Sequence, residues 1–168
     1  AAEYGTRCLI ARRLVERGVR FVQLFLNFQP WDTHSKNAAT LTGLCARTDQ
    51  PSAALVQDLK QRGMLDRTIV MWGGEFGRLP ISQSADGRDH NRHANSIWIA
   101  GGGFKRGYCH GATDDFGYKA VTDTFTVHDL HATLLKALGL DHLRLTYPHD
   151  GRPGSLTDVV ITKAKAVD

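Results

Sequence analysis

The stretch that decides the predicted fold is Thr68-Ile69-Val70-Met71-Trp72, which runs directly into Gly73-Gly74-Glu75-Phe76-Gly77. Its β-branched and aromatic side chains predict a buried strand, and the glycines predict a turn at the end of that strand. Residues 19–26 and 96–100 have the same character. The sequence therefore predicts three strands.

Helical patterns alternate with these strands. Apolar residues recur at helical spacing over residues 9–17, and a second helix, capped by Thr48 or Asp49, has Pro51 in its first turn. A third helix is predicted over residues 127–138. This alternation predicts an α/β fold, with a mostly parallel sheet flanked by helices.

The composition is that of a folded globular domain. The 168 residues are 42% hydrophobic and 23% charged, which excludes collagen-like, disordered and coiled-coil classes. No apolar run is long enough to span a membrane. Lys and Arg outnumber Asp and Glu by 21 to 17 but are scattered, so we expect no nucleic-acid surface. Cys8, Cys45 and Cys109 form no CxxC motif and predict neither a zinc ribbon nor a redox pair.

The start of the chain and the small number of strands both bear on domain organisation. The chain begins without Met, shows no signal-peptide pattern and enters a helix within its first residues. Three strands also make a small sheet for an α/β domain. We therefore interpret residues 1–168 as a portion of a single α/β domain from a longer protein, with residues 140–168 as an extended tail.

Acidic and imidazole side chains follow the predicted strands. Asp32 and His34 follow the first strand, Glu75 ends the second, and His90 lies in the loop after it. Because ligands bind beyond the carboxyl ends of parallel strands, we expect these four side chains to meet at one edge of the sheet. Carboxylate oxygens and imidazole nitrogens are ligands for divalent metals. The sequence therefore predicts a metal site of Asp32, His34, Glu75 and His90, with Asp89 orienting the ring of His90.

Each of these side chains also has a purely structural interpretation. Asp32 could cap its own turn, and His34 and His90 could be solvated surface groups. Glu75 could instead pair with a neighbouring arginine, Arg78 or Arg88. The residues alone leave these alternatives open.

The remaining motifs predict no catalytic nucleophile. His128 and His131 lie on the last predicted helix, whose leucines indicate core packing. Gly101-Gly102-Gly103 lacks the lysine of a phosphate-binding loop, and the chain has no GxSxG motif. The nucleophile is therefore left unassigned.

Seven motifs follow one another along the chain: WDTH at 31–34, EFGR at 75–78, GRDHN at 87–91, AGGG at 100–103, GATD at 111–114, HDLHAT at 128–133 and LTD at 156–158. They resemble the motifs of domain-of-unknown-function family 1501. That family consists of exported bacterial proteins assigned to the alkaline phosphatase and sulfatase superfamily. The resemblance therefore implies a C-terminal portion of a sulfatase-like domain.

The resemblance further implies a two-metal site at the strand ends of a central sheet. Asp32 and His34 resemble the first ligand pair, Glu75 the acid of the second pair, and His90 a later histidine ligand. Phe76 departs from the pattern because it stands where the superfamily commonly has His, and the spacing from Asp32 to His34 is shorter than usual. The superfamily's nucleophile lies in its N-terminal half, so we expect the site in this chain to be incomplete.

These features predict a metal-dependent hydrolase of phosphate or sulfate monoesters, with a small-molecule or glycan ester as substrate. Two divalent ions, drawn from Zn, Mn, Ca and Mg, are the expected cofactors. Arg78 and Arg88 are expected to bind the ester oxyanions, although pairing with Asp86 or Asp89 is their alternative. Export is implied by the family alone. The alternative function is an exported, non-catalytic binding or scaffold protein that retains the fold, which Phe76 favours.

Overall fold

The computed structural model describes residues 1–167. The helices are α1 (Ala2–Glu16), α2 (Asn37–Gln61), α3 (Val127–Ala137) and α4 (Val159–Thr162), with a 3-10 helix at Leu65–Arg67. The strands are β1 (Ile69–Trp72), β2 (Gly77–Arg78), β3 (His90–Asn91), β4 (Trp98–Gly101), β5 (Ala112–Thr113), β6 (Ala120–Thr122), β7 (Thr146–His149) and β8 (Arg152–Ser155). Across this part of the chain, no helix combines the length and the apolarity needed to cross a membrane.

The strands of residues 1–167 form four separate two-stranded sheets, β1–β4, β2–β3, β5–β6 and β7–β8, and each is antiparallel. The predicted α/β fold with a mostly parallel sheet is therefore wrong. The strands predicted at 68–72 and 96–100 do form, as β1 and β4, but Trp72 lies opposite Trp98 in an antiparallel register. A parallel pair needs a crossover connection, usually a helix, and residues 73–97 fold instead into loops and the β2–β3 ladder.

The first predicted strand, residues 19–26, has no regular secondary structure and pairs with no strand in the described part of the chain. Its side chains alternate in exposure: Phe21 and Phe25 are exposed, whereas Val22 and Leu24 are half-buried. Arg7 of α1 holds the segment by donating from Nη1 to the carbonyl of Phe25 at 2.6 Å. The strand-like period of two is present, but the backbone ladder that defines a strand is not.

Helix α1 confirms the first predicted helix, whereas α2 begins earlier than predicted. It starts at Asn37, so the predicted cap at Thr48 or Asp49 is wrong and Pro51 lies inside the helix. Pro51 is buried against α1, where a Cβ added to Gly5 would lie 3.9 Å from the proline ring. Because proline has no backbone N–H, α2 lacks one helical hydrogen bond at this residue.

An ion-pair network joins α1 to α2. The buried guanidinium of Arg12 donates from Nε to Asp58 at 2.7 Å and from Nη1 to Glu16 at 2.6 Å. Arg62 donates from Nε to the other oxygen of Asp58 at 2.8 Å. These bonds, with that of Arg62 the largest influence, lower the pKa of Asp58. The buried charge of Arg12 is thereby paired, as burial of an ion requires.

The C-terminal third confirms the last predicted helix and folds more than predicted. Thr126 and Asp129 form a reciprocal capping box at the start of α3. The predicted extended tail, residues 140–168, contains the β7–β8 hairpin and α4, and its last residue, Asp168, lies outside the described residues. The backbone N–H of Lys165 donates to the side chain of Asp129, so this segment near the end of the chain lies against α3.

Candidate metal centre

The centre is built where the loop before α2 meets the β2–β3 ladder. Asp32 and His34 come from that loop, Arg78 ends β2, and His90 begins β3. In the ladder, Arg78 lies opposite His90. The two strands therefore carry an arginine and an imidazole to the same place, and the loop brings the carboxylate and second imidazole.

Three of the four predicted ligands form one compact group. The Oδ1 atom of Asp32 lies 2.9 Å from Nε2 of His90 and 3.2 Å from Nε2 of His34. The two Nε2 atoms are 3.1 Å apart. Within residues 1–167, Asp32, His34 and His90 form the group of potential metal ligands, with ligand atoms within 4.8 Å of one another.

Asp89 orients the ring of His34 and not, as predicted, the ring of His90. Its Oδ1 atom lies 3.1 Å from Nδ1 of His34, and its Oδ2 atom accepts the backbone N–H of Gln83 at 2.8 Å. The hydrogen bond from Gln83, followed by the contact with His34, lowers the pKa of Asp89. The contact with Asp89 holds the Nδ1 edge of the ring, so the Nε2 edge of His34 faces Asp32 and His90.

Three atoms that can each bind a metal therefore face one another. A carboxylate oxygen and two imidazole nitrogens are the donor types that divalent ions such as zinc take in proteins. A cation among the three atoms satisfies all of their lone pairs at once, so the donor set fits a bound metal ion.

Arg78 ties Asp32 to Glu75. Its Nη1 donates to Asp32, and its Nη2 lies 3.6 Å from the carboxylate of Glu75. The hydrogen bond from His90 and then that from Arg78 lower the pKa of Asp32, so this carboxylate is ionised at neutral pH. Glu75 is largely exposed and is not in the three-residue group, so its role as a fourth ligand stays a prediction.

Phe76 packs against the candidate centre. In the superfamily that the chain resembles, this sequence position commonly holds a histidine. Its ring centroid lies 4.5 Å from that of His90, and the guanidinium carbon of Arg78 lies 5.5 Å from the Phe76 centroid. The aromatic ring thus contacts one candidate ligand, His90, and one cation, Arg78. Phe76 positions the neighbours of the centre and contributes no ligand atom of its own.

The loop of residues 79–89 hydrogen-bonds to the backbone on either side of His34. The sequence did not predict this contact. Ser84 Oγ donates to the carbonyl of His34, and the backbone N–H of Arg88 donates to the carbonyl of Thr33 at 2.9 Å. A Cβ at Gly87 would overlap the His34 carbonyl, so only glycine permits this approach. Gly87 within the GRDHN motif was the available signal.

The side chain of Arg88 lies apart from this arrangement. Its Nη1 donates to the carbonyl of Gly87 at 2.7 Å, and within residues 1–167 it makes no hydrogen bond or ion pair with Asp32, His34 or His90. Of the two arginines predicted to bind an ester, Arg78 is the one that contacts the centre. Neither arginine pairs through its side chain with Asp86 or Asp89 in the described residues.

Comparison with known proteins places the chain in one family. The model of the family described as Protein of unknown function (DUF1501) matches residues 1–168. No curated protein and no solved structure matches the chain.

Proposed function

Since the chain belongs to the family described as Protein of unknown function (DUF1501), we propose from the chemistry of its own side chains that it is a metal-dependent hydrolase of phosphate or sulfate monoesters. Asp32, His34 and His90 hold a divalent ion, and Arg78 binds the ester beside it. The proposal includes export and the sulfatase-like activity that the resemblance implies. The substrate is a small-molecule or glycan ester.

The observation that carries the proposal is the triangle of ligand atoms. Atoms that bind one ion at about 2.0–2.2 Å lie no more than about 4.4 Å apart, and the three separations here are 2.9, 3.1 and 3.2 Å. The carboxylate behind His34 completes the pattern, because metal-ligating histidines usually donate their second N–H to such an acceptor. When bound, a divalent ion would act as a Lewis acid toward the ester oxygens.

The charges around the centre favour an anionic substrate. Arg78 is one-quarter exposed and engages Asp32 and Glu75 through different nitrogens, so it reaches solvent while held in place. Guanidinium groups bind phosphate and sulfate oxygens through paired N–H donors. Arg78 therefore positions the oxyanion, and the proposed second ion and the nucleophile lie outside the residues assigned here.

The test is metal content and ester hydrolysis measured together. The full-length protein, purified without chelators, is analysed for Zn, Mn, Ca and Mg and assayed with 4-nitrophenyl phosphate and 4-nitrophenyl sulfate. We expect stoichiometric metal and turnover that is lost on chelation and restored by the metal. Asp32→Asn removes both, whereas Asp115→Asn, which removes the same charge from an exposed residue, leaves both unchanged.

Each other result contradicts the proposal in a defined way. Protein without stoichiometric metal and without turnover overturns it. If the protein contains metal but turns over neither ester, the metal centre is supported and the hydrolase function is overturned. Equal loss in the Asp32 and Asp115 variants indicates damage to the fold and overturns the assignment of Asp32.

A non-catalytic binding or scaffold protein is the second candidate, and the placement of Phe76 favours it. The phenyl ring fills the space beside His90 that a further imidazole ligand would occupy in the pattern implied by the resemblance. Arg78 also neutralises Asp32 without a metal. This candidate predicts that the Asp32→Asn variant keeps its fold. It also predicts that neither the wild-type protein nor the variant hydrolyses either ester.

A further inference from the structure

A cavity that none of the proposed metal ligands lines lies between α2 and the β1–β4 sheet. Its volume is about 360 Å³, and its walls include Trp31, Trp72, Trp98, Cys45, Asp49 and Val56. The chain has three tryptophans, and all of them line this cavity. A space of this size holds a small organic group.

The three indole rings form an aromatic enclosure. Trp72 and Trp98 are cross-strand partners, so their side chains lie on the same face of the β1–β4 sheet. Trp31 meets Trp72 edge to face, with ring centroids 5.8 Å apart and planes at 89°. Trp72 and Trp98 each keep 38% of their surface exposed, so the enclosure is open to solvent.

One wall of the enclosure carries an acidic side chain. Asp49 lines the cavity from α2, and in the described part of the chain it makes no ion pair. Asp49 is exposed, so its carboxylate is accessible from solvent at this cavity. No lysine or arginine lines the cavity, so its charge is negative although the whole chain carries +4.

We propose that this cavity binds a quaternary or methylated ammonium group. The faces of indole rings attract cations, and tryptophan does so most strongly among the aromatic side chains. Methyl groups spread the charge and fill the apolar walls, whereas a primary ammonium is more strongly hydrated. The carboxylate of Asp49 supplies the countercharge. This inference does not depend on the proposed hydrolase, although Trp31 directly precedes the metal-ligating Asp32.

The test is binding of choline to the full chain by calorimetry and tryptophan fluorescence, with a chelator present so that metal binding does not contribute. The matched ligand is 3,3-dimethylbutan-1-ol, which has the same shape without the charge. We expect saturable choline binding that changes indole fluorescence and is about tenfold tighter than binding of the alcohol.

Two variants locate the site. Asp49→Asn keeps the shape of the cavity and should weaken choline binding about tenfold, whereas Asp115→Asn should not change it. Trp31→Phe should weaken binding as well, with the helical circular dichroism unchanged. The proposal is overturned if choline does not bind, if the neutral alcohol binds equally well, or if Asp49→Asn and Asp115→Asn behave alike.

Discussion

The Nδ1 atom of His34 lies 3.1 Å from the Oδ1 of Asp89, a residue 55 positions later in the chain. This contact decides which nitrogen of His34 faces Asp32 and His90, and it connects the loop before α2 to the entry of β3. Since Asp89 is itself held by the backbone N–H of Gln83, the orientation of His34 depends on the fold of the 79–89 loop. The proposed metal centre therefore forms where two loops meet.

Removal of the Asp89 carboxylate should weaken metal binding without removing a ligand. Asp89→Ala frees the ring of His34 to rotate and to change tautomer, and loss of such a partner typically costs about 10–100-fold in metal affinity. Titration of the metal-free protein with Zn²⁺ or Mn²⁺ by calorimetry measures this loss. Asp115→Ala is the control, and equal affinities in the two variants would remove Asp89 from the centre.

Glu75 and Asp32 should differ in their importance for metal binding. Glu75 is 66% exposed and lies against Arg78, whereas Asp32 contacts both imidazoles. We expect Asp32→Asn to abolish stoichiometric binding and Glu75→Gln, which acts on the centre through Arg78, to lower the affinity by about 10–100-fold. A Glu75 variant that loses all metal would instead make Glu75 a direct ligand.

Loss of the Phe76 ring should affect the positions of His90 and Arg78 more than the stability of the fold. Phe76→Ala removes the ring that contacts His90 and Arg78, a contact of about 0.5–1.5 kcal/mol for an aromatic pair. Metal affinity should fall several-fold while the cooperative thermal transition persists. Unchanged affinity would show that the ring does not position His90.

Gly87 should tolerate no side chain. Gly87→Ala places a methyl group on the His34 carbonyl, and the shift that relieves the overlap should cost about 1–3 kcal/mol of unfolding free energy. Gly43→Ala is the matched control, because Gly43 lies inside α2 with open space around it and should gain about 0.5–1 kcal/mol. Denaturant unfolding measures both. A neutral Gly87→Ala variant would show that the two loops are not in close contact.

The Asp58 network should make the packing of α1 on α2 dependent on pH. The pKa of Asp58 is lowered in the folded state, so its contribution is present above the ordinary aspartate pKa of about 3.9 and is lost as the pH falls through the folded value. Asp58→Asn should therefore lower the unfolding free energy at pH 7 by about 1 kcal/mol, since the pair is partly exposed. At pH 2 to 3 the difference from wild type should shrink, and a difference that does not depend on pH would contradict this account.

The local pattern of the sequence determined several elements directly. Alternating or continuous apolar residues located β1 and β4, helical spacing located α1, and the helix predicted over residues 127–138 corresponds to α3. Residue type and position after apolar stretches predicted four ligands, and the structure groups three of them, Asp32, His34 and His90. These features depend on neighbours in the chain, which the sequence displays.

Tertiary structure decided how the elements pair and which partner each ligand takes. The antiparallel register of Trp72 and Trp98 depends on the path of residues 73–97, and α2 continues through Pro51, which is buried. Asp89 contacts His34 and not the adjacent His90 because the 79–89 loop folds over the loop before α2. Such contacts arise from the balance of packing and hydrogen bonding between distant segments, which local residue patterns do not encode.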